Sequence, residues 1–403
     1  MVFAIFGATL IMIIIMLKAK LPIGLTLYSA AALLMILSGG NVPKLIDAFI
    51  HSALAWETNK LILIVLAIIA LGKVMELSGS MKVMIEAIED TFPKYGIAGA
   101  VMPAIIGLFP MPGGALLSAP MVGSVNKLKE IDVDVKAAIN YWFRHIWECV
   151  WPLYPGIILT AAITNVSIGT IISYQWPVSV LFVIFGIIVF RRVFSANSEE
   201  GANLRWSGDS AIKFLISVAP IFAVVILKFA FGLDFLVSLS IMIFIVALIN
   251  HKKISPLKSL IKSIFNLETI LLIEAVMALK SIIGVSGLSA ELVDALSKGN
   301  ILLPVLASIV ALIIGIITGT TPAFVGVAFP LVAPLMKAQT GYGIGYLVYV
   351  SGFIGVMLSP AHLCLLLSKE YFKADLGGIY KIIIVPLIII FILAVLIYLF
   401  LYA

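Results

Sequence analysis

Apolar runs close to twenty residues long recur from one end of this chain to the other, and no other property narrows its fold as far. Leu61–Leu77, Gly169–Phe190 and Ile379–Leu399 are examples. A helix needs about 20 apolar residues to cross a ~30 Å hydrocarbon core. Strands of a membrane barrel instead alternate apolar and polar over ~10 residues, and these runs do not alternate. With 63% of its 403 residues hydrophobic and only 11% charged, against about 25% charged in soluble domains, the sequence reads as an all-α polytopic membrane protein embedded in a lipid bilayer. Its formal net charge of +6 is scattered between apolar runs, which argues against a nucleic-acid partner and fits the basic bias of cytoplasmic loops. Lys18 and Lys20 follow the first apolar run rather than precede it, so that run is expected to be a retained helix, not a signal peptide. Cys149 and Cys364 both lie in apolar segments. Two thiols give no disulfide framework and no zinc spacing, and both are expected to be packing residues.

One pattern is written twice. The first copy runs from Ile105 through Pro110-Met111-Pro112-Gly113-Gly114 to Pro120, and the second from Ile313 through Thr318-Gly319-Thr320-Thr321-Pro322 to Pro330. In each, an apolar segment stops at a knot of Gly, Pro and small residues, then resumes. Ile97–Phe109 and Ala115–Val125, which flank the first knot, amount to roughly 16–20 Å of helix each, too short to span the core. A re-entrant hairpin accommodates them. Farther on, Ala137–Ala162 is interrupted at Trp151–Gly156 by two prolines and a glycine, and Tyr346–Leu367 at Ser359-Pro360-Ala361-His362. Prolines so placed break a helix.

The same order of elements fills both halves. Phe3–Leu17, Pro22–Leu37 and Leu61–Leu77 precede the first hairpin; Ile212–Phe229, Leu233–Ile249 and Leu267–Ile283 precede the second. Polar or amphipathic stretches, Asn41–Trp56 and Ser80–Thr91 in one half and Lys252–Phe265 and Ser289–Lys298 in the other, lie at matching places. Residues 1–194 and 210–403 thus read as two repeats joined by a cytoplasmic linker, 195–209. Each has five crossings and a hairpin that returns to its starting side, so an odd count inverts the second repeat relative to the first. The basic residues agree. Most of the 26 Lys and Arg fall on one face, and only Lys44, Lys60, Lys228, Lys298 and Lys337 on the other. The rich face is cytoplasmic, which places both termini outside a multi-pass protein of the cell membrane. The first hairpin then enters from the cytoplasm and the second from outside.

Chemistry is expected at the knots and the interrupted helices. Gly113 and Gly114 allow close backbone approach, Thr320 or Thr321 would cap a helix starting at Pro322, and Thr318 adds a hydroxyl. A helix N-terminus after each break favours an anion, and bare carbonyls before it favour a cation; the plainer alternative is two kinks packed by small residues. Arg144, His145 and Glu148 precede the first interruption, with Arg144 and Glu148 at i,i+4 on one helix face. Charges at membrane depth cost at least ~2.5–3.5 kcal/mol and are functional candidates for that reason. Arg144 would clamp a carboxylate, Glu148 would carry a proton or ligate a cation, and His362 would relay protons or contact substrate. The alternative is an Arg–Glu pair that merely neutralises itself. Tyr154, between two prolines, is the aromatic residue expected to touch substrate. Glu274 and Lys280 also fall in an apolar segment, with no knot beside them.

Pro-Met-Pro-Gly-Gly-Ala at 110–115 and Pro-Ala-His-Leu-Cys at 360–364 resemble an uncharacterised prokaryotic family of integral membrane proteins. That family is placed in the ion-transporter superfamily with gluconate permeases and citrate and dicarboxylate transporters. The resemblance spans nearly the whole chain and implies inverted repeats, organic-anion transport and a possible homodimer. In the dicarboxylate/sodium branch the hairpin tips carry Ser-Asn-Thr, which contacts sodium and carboxylate; here they read Pro112-Gly113-Gly114 and Thr320-Thr321-Pro322. The leading expectation is a secondary active transporter, a symporter for a small anionic, carboxylate-type solute driven by H⁺ or Na⁺. Substrate binding is assigned to Pro112, Gly113, Gly114, Thr318, Thr320, Thr321, Arg144, Tyr154 and His362, and ion coupling to Glu148, His362 and Thr320. No cofactor other than the coupling ion is expected. The chain shows no P-loop, His-Glu-x-x-His or Gly-x-Ser-x-Gly, so it reads as no enzyme. A cation/proton antiporter, a membrane-embedded hydrolase and a structural role remain as alternatives.

Overall fold

The computed structural model describes residues 2–91, 98–111, 113–124, 131–195, 208–251, 264–288, 302–338 and 341–402. Among them there is no strand, and their regular secondary structure is helical. In order the helices are α1 (Val2–Lys18), α2 (Ile23–Leu37), α3 (Val42–Leu54), α4 (Trp56–Ser78), α5 (Ser80–Thr91), α6 (Ala98–Gly107), α7 (Ala115–Ser124), α8 (Val133–Arg144), α9 (Pro155–Thr164), α10 (Ile168–Val189), α11 (Arg191–Ser195), α12 (Gly208–Phe229), α13 (Phe235–Ile249), α14 (Leu267–Val285), α15 (Leu302–Thr318), α16 (Thr321–Ala338), α17 (Gly343–Met357), α18 (Leu363–Phe372) and α19 (Leu376–Ile397). A π-helical turn, Tyr398–Tyr402, follows. Most of the expected linker, and of the amphipathic stretches at 252–265 and 289–298, lies outside the described residues.

Among the described residues, four helices are long and apolar enough to cross a membrane: α4, α10, α12 and the last helix through Tyr402. Their side chains explain why such a fold suits lipid. Ile184, Ile187 and Ile188 on α10, Ile212, Leu215 and Ile216 on α12, and Val385, Ile388 and Ile392 on α19 are all exposed. Apolar surface on this scale marks a membrane-facing exterior rather than a wetted one. Helix starts are set by ordinary caps: Ser167 accepts from Thr170 N, Asp234 from Leu236 N and Asn266 from Thr269 N.

The centre is α17. Every one of its residues is buried, as expected of a helix that is apolar all round. Glycines bring it against its neighbours. A Cβ on Gly355 would meet the Leu312 carbonyl of α15, and one on Gly315 the Gly352 carbonyl, so the two helices touch backbone to backbone, the small-residue mode of packing.

Several of the other contacts recur in matching form in the two halves. Helix α2 packs on α14, and α4 on α13; α1 packs on α2, and α12 on α13. Helix α6 packs on α7 and α8, while α15 packs on α16 and α17. The second arm of each helix–knot–helix pair crosses to the other half, α7 against α18 and α16 against α9. Arms of the first pair are short, α6 and α7 having 10 residues each; those of the second have 17 and 18.

One expected boundary is corrected. The first interruption is wider than Trp151–Gly156: α8 ends at Arg144, and residues 145–150 are a run of turns. His145 explains the early stop. Its Nδ1 bonds the Tyr141 carbonyl at 2.6 Å, while its main-chain N–H turns to Trp142 O. The ring takes the place of the next helical N–H. The second interruption, between Met357 and Leu363, falls where expected.

Candidate functional site

The ends of the broken helices meet around a cavity of about 440 Å³. Both knots line it, through Pro110, Met111 and Gly113 on one side and Gly319, Thr320, Thr321 and Pro322 on the other. Both interruptions line it too, with Arg144, His145, Glu148 and Tyr154 facing His362 and Cys364. This volume suits a small solute. A second cavity, of about 280 Å³, contains Lys73, Glu76 and Phe109, and shares Ile69, Pro110, Met111 and Asn266 with the first.

The first knot is held by its interrupted helix. Gly107 lies so close to α8 that a Cβ there would strike the Arg144 carbonyl. The Arg144 guanidinium then reaches back, donating from Nη1 to Ile106 O at 3.3 Å and from Nη2 to Met111 O at 3.0 Å. Trp147 Nε1 donates to Ala104 O at 2.8 Å, and Tyr154 OH to Gly107 O at 2.6 Å. Carbonyls left open by the end of α6 are therefore satisfied by side chains, not bare as the sequence reading had them. The second knot leans on the second interruption in the same manner. Gly319 sits at φ +63°, and a Cβ there would crowd the main chain of His362.

The two halves are tied at Glu148. Thr321 Oγ1 donates to Glu148 Oε1 at 2.5 Å, and Tyr349 OH to Glu148 O at 3.1 Å. Tyr141 OH in turn donates to Met357 O at 3.0 Å. Two expectations are revised here. Arg144 and Glu148 are not on one helix face, because α8 stops between them. Nor does Thr321 act as a cap for Pro322: α16 begins at Thr321 itself, and its hydroxyl is committed to the carboxylate.

Arg144 is consequently a buried cation without a counterion. It is 4% exposed, and among the described residues no carboxylate lies within 4.0 Å of it. Beside it stand two histidines whose Nε2 atoms are 3.0 Å apart, with rings nearly perpendicular. The Tyr141 ring packs edge-on against both. Cys364 completes this group: its Sγ and the imidazole nitrogens all lie within 4.8 Å of one another.

The sequence profile of one family, described as proteins of unknown function (DUF401), matches residues 2–401. The chain belongs to this family. No curated protein matches the sequence.

In this DUF401 member most of the expected site residues converge. Gly113, Arg144, Glu148, Tyr154, Thr320, Thr321 and His362 all line the large cavity. Gly114 does not; it backs the guanidinium, which a Cβ would strike. Thr318 does not either, and its hydroxyl bonds Ile314 O within α15. Pro112 lies outside the described residues. Glu274 and Lys280 are engaged elsewhere, Glu274 accepting from Tyr28 OH and Lys280 donating to Ala162 O. His145 and Cys364 are the additions, together with Asn266, Glu268 and Thr269 at the start of α14. Only adjacency to Arg144 and the two-residue step from His362 to Cys364 hinted at the first two.

Proposed function

We propose that this protein is a secondary active transporter that moves a small, carboxylate-type anion across the cell membrane by alternating access. The observation that carries the reading is the Arg144 guanidinium on the wall of a 440 Å³ cavity, with no carboxylate within 4.0 Å of it among the described residues. A buried charge left without a partner is costly. A carboxylate about 4 Å away would return roughly 4 kcal/mol at an effective dielectric near 20. The anion is thus the natural counterion, and Gly113, Tyr154 and Thr320, which line the same cavity, would contact it.

Coupling to protons fits the geometry better than coupling to sodium. Sodium needs free oxygens, and the first-knot carbonyls of Ala104, Ile106, Gly107 and Met111 already accept from side chains. Glu148, His145 and His362 line the same cavity and are proton carriers by type. The matched contacts of the two halves support two inverted-topology repeats, each with a re-entrant hairpin and an interrupted helix, as in the ion-transporter superfamily of gluconate permeases and citrate and dicarboxylate transporters. The charge distribution of the loops supports termini on the outside. The Pro110–Met111 segment between two cavities is a candidate gate.

Uptake into proteoliposomes with an imposed ΔpH or Na⁺ gradient, screened over small carboxylates, tests this. We expect ΔpH-driven uptake of one carboxylate, and Arg144→Gln to raise its KM at least tenfold while the protein stays folded. Cation-dependent H⁺ movement with no anion taken up would replace the reading with a cation/proton antiporter. An unchanged KM in Arg144→Gln would remove Arg144 from the site.

A further inference from the structure

We propose that His145, His362 and Cys364 form a binding site for a divalent transition-metal cation of borderline softness, with Zn²⁺ as the type. The ligand set is two imidazole nitrogens and one sulfur, which selects zinc-like ions over Mg²⁺ or Ca²⁺. Its dimensions agree. In a tetrahedral zinc site, Zn–N bonds of about 2.0–2.1 Å place two nitrogens roughly 3.3 Å apart. The two Nε2 atoms stand at 3.0 Å, and Sγ lies within 4.8 Å of a ring nitrogen of each histidine. A cation enters with small shifts of side chains that already converge.

The surroundings prepare the first ligand. Tyr141 O is an acceptor only, so the proton of His145 sits on Nδ1, and Nε2 turns its lone pair toward His362. A carbonyl that fixes the tautomer of a ligating histidine in this way is the usual outer-shell device of metal sites. Without metal, His362 Nε2–H donates to the His145 Nε2 lone pair at 3.0 Å. His362 Nδ1 has no partner among the described residues, so a metal that displaces this bond leaves the ring able to carry its proton on Nδ1 and offer Nε2. On binding, the thiol proton is released to water and the thiolate offsets one of the two metal charges. Arg144, in the same cavity, opposes the other charge, so the site is weaker than a closed cysteine-rich centre.

The fourth position faces the cavity, since all three ligands line it. Water or an oxygen of a small solute would fill it, as at zinc centres that keep an open site. Glu148 stays with Thr321. A metal here would link the two interruptions across 217 residues of chain and hold the two halves in the arrangement seen. The proposal does not depend on what the cavity transports.

The test is titration of the purified full-length protein in detergent with Co²⁺, a coloured stand-in for Zn²⁺, followed by Zn²⁺ competition. Wild type should develop a thiolate-to-cobalt charge-transfer band and the intense d–d bands of four-coordinate cobalt, both removed by one equivalent of Zn²⁺. Cys364→Ser should lose the charge-transfer band. His145→Ala and His362→Ala should each bind Co²⁺ at least ~100-fold more weakly, beyond the losses typical of outer-shell changes. Cys149→Ser, which alters the other buried thiol, should bind as wild type does. If a histidine variant fails to fold, X-ray absorption of Zn²⁺-loaded wild type decides instead, with one sulfur and two imidazoles expected around the metal. Saturating Co²⁺ with no charge-transfer band overturns the proposal. So does a band that survives Cys364→Ser but vanishes in Cys149→Ser, and so does full affinity in a folded His145→Ala.

Discussion

Changing Gly114 to alanine is the sharpest probe of the proposed anion site, because it moves the guanidinium without altering a charge. An added Cβ would lie under 3.0 Å from three guanidinium atoms of Arg144. To reach the ~3.5 Å of ordinary contact, the group must retreat by about 1 Å. Its bond to Met111 O, now 3.0 Å, would then lengthen beyond hydrogen-bonding range. Hydrogen bonds to charged groups contribute about 1.5–3 kcal/mol, so Gly114→Ala should cost that much in positioning Arg144. At 1.4 kcal/mol per factor of ten, the KM for the carboxylate proposed as substrate should rise about ten- to hundredfold. The neighbouring glycine provides the comparison. Gly113 lies at φ +74°, and a Cβ there would meet only Leu367 Cδ1 at 3.6 Å. Gly113→Ala therefore adds backbone strain of about 1–2 kcal/mol, seen as a lower Tm with a smaller KM change. Gly284→Ala, where a Cβ meets nothing within 4 Å, should leave uptake as in the wild type. Uptake kinetics in proteoliposomes and Tm in detergent read all three. A folded Gly114→Ala protein with wild-type KM would refute the argument that a fixed guanidinium holds the anion.

Thr321→Val keeps shape but removes the donor to Glu148; it should cost about 1.5–3 kcal/mol and lower the ratio of protons to solute moved, measured by paired pH and tracer fluxes. Gly355→Ala forces α17 off the Leu312 carbonyl, and with no side chain to give way we expect a loss of roughly 2 kcal/mol or more, read as a fall in Tm. The last prediction concerns Asp234, outside the spanning segments. Burial pushes its carboxyl upward, but the bond from Lys60 at 2.5 Å and that from Leu236 N–H outweigh it, and the folded pKa lies below the ordinary value. A depressed folded pKa gives stability that is present above the unfolded value, near pH 4, and is lost as pH falls through the folded one. The pair is more than a third exposed on each side, so the effect should stay below about 1 kcal/mol. Asp234→Asn should flatten the acid limb of a Tm-against-pH curve by that amount, and an unchanged curve would show the pair to be idle.

The sequence alone determined the class and most of the element list, because those depend on local terms. A run of apolar residues long enough to cross a bilayer, a proline that removes a helical N–H and a glycine at a turn act on their own neighbours, and so α4, α10, the knots and the break before Leu363 were legible. The list of charged and hydroxyl residues near those breaks was legible for the same reason, and Arg144, Glu148, Thr321 and His362 do meet. What each one faces was decided only by the tertiary structure. Arg144 turned to the carbonyls of α6, Thr321 to Glu148, and His145 ended α8 seven residues before Pro152, the first proline of the interruption. Cys364 looked like packing because its partners lie on the other side of a contact 217 residues long in sequence. Periodicity carries no information about such a meeting. It arises where four helix ends, brought together by glycines small enough to let backbones touch, direct their side chains into one cavity.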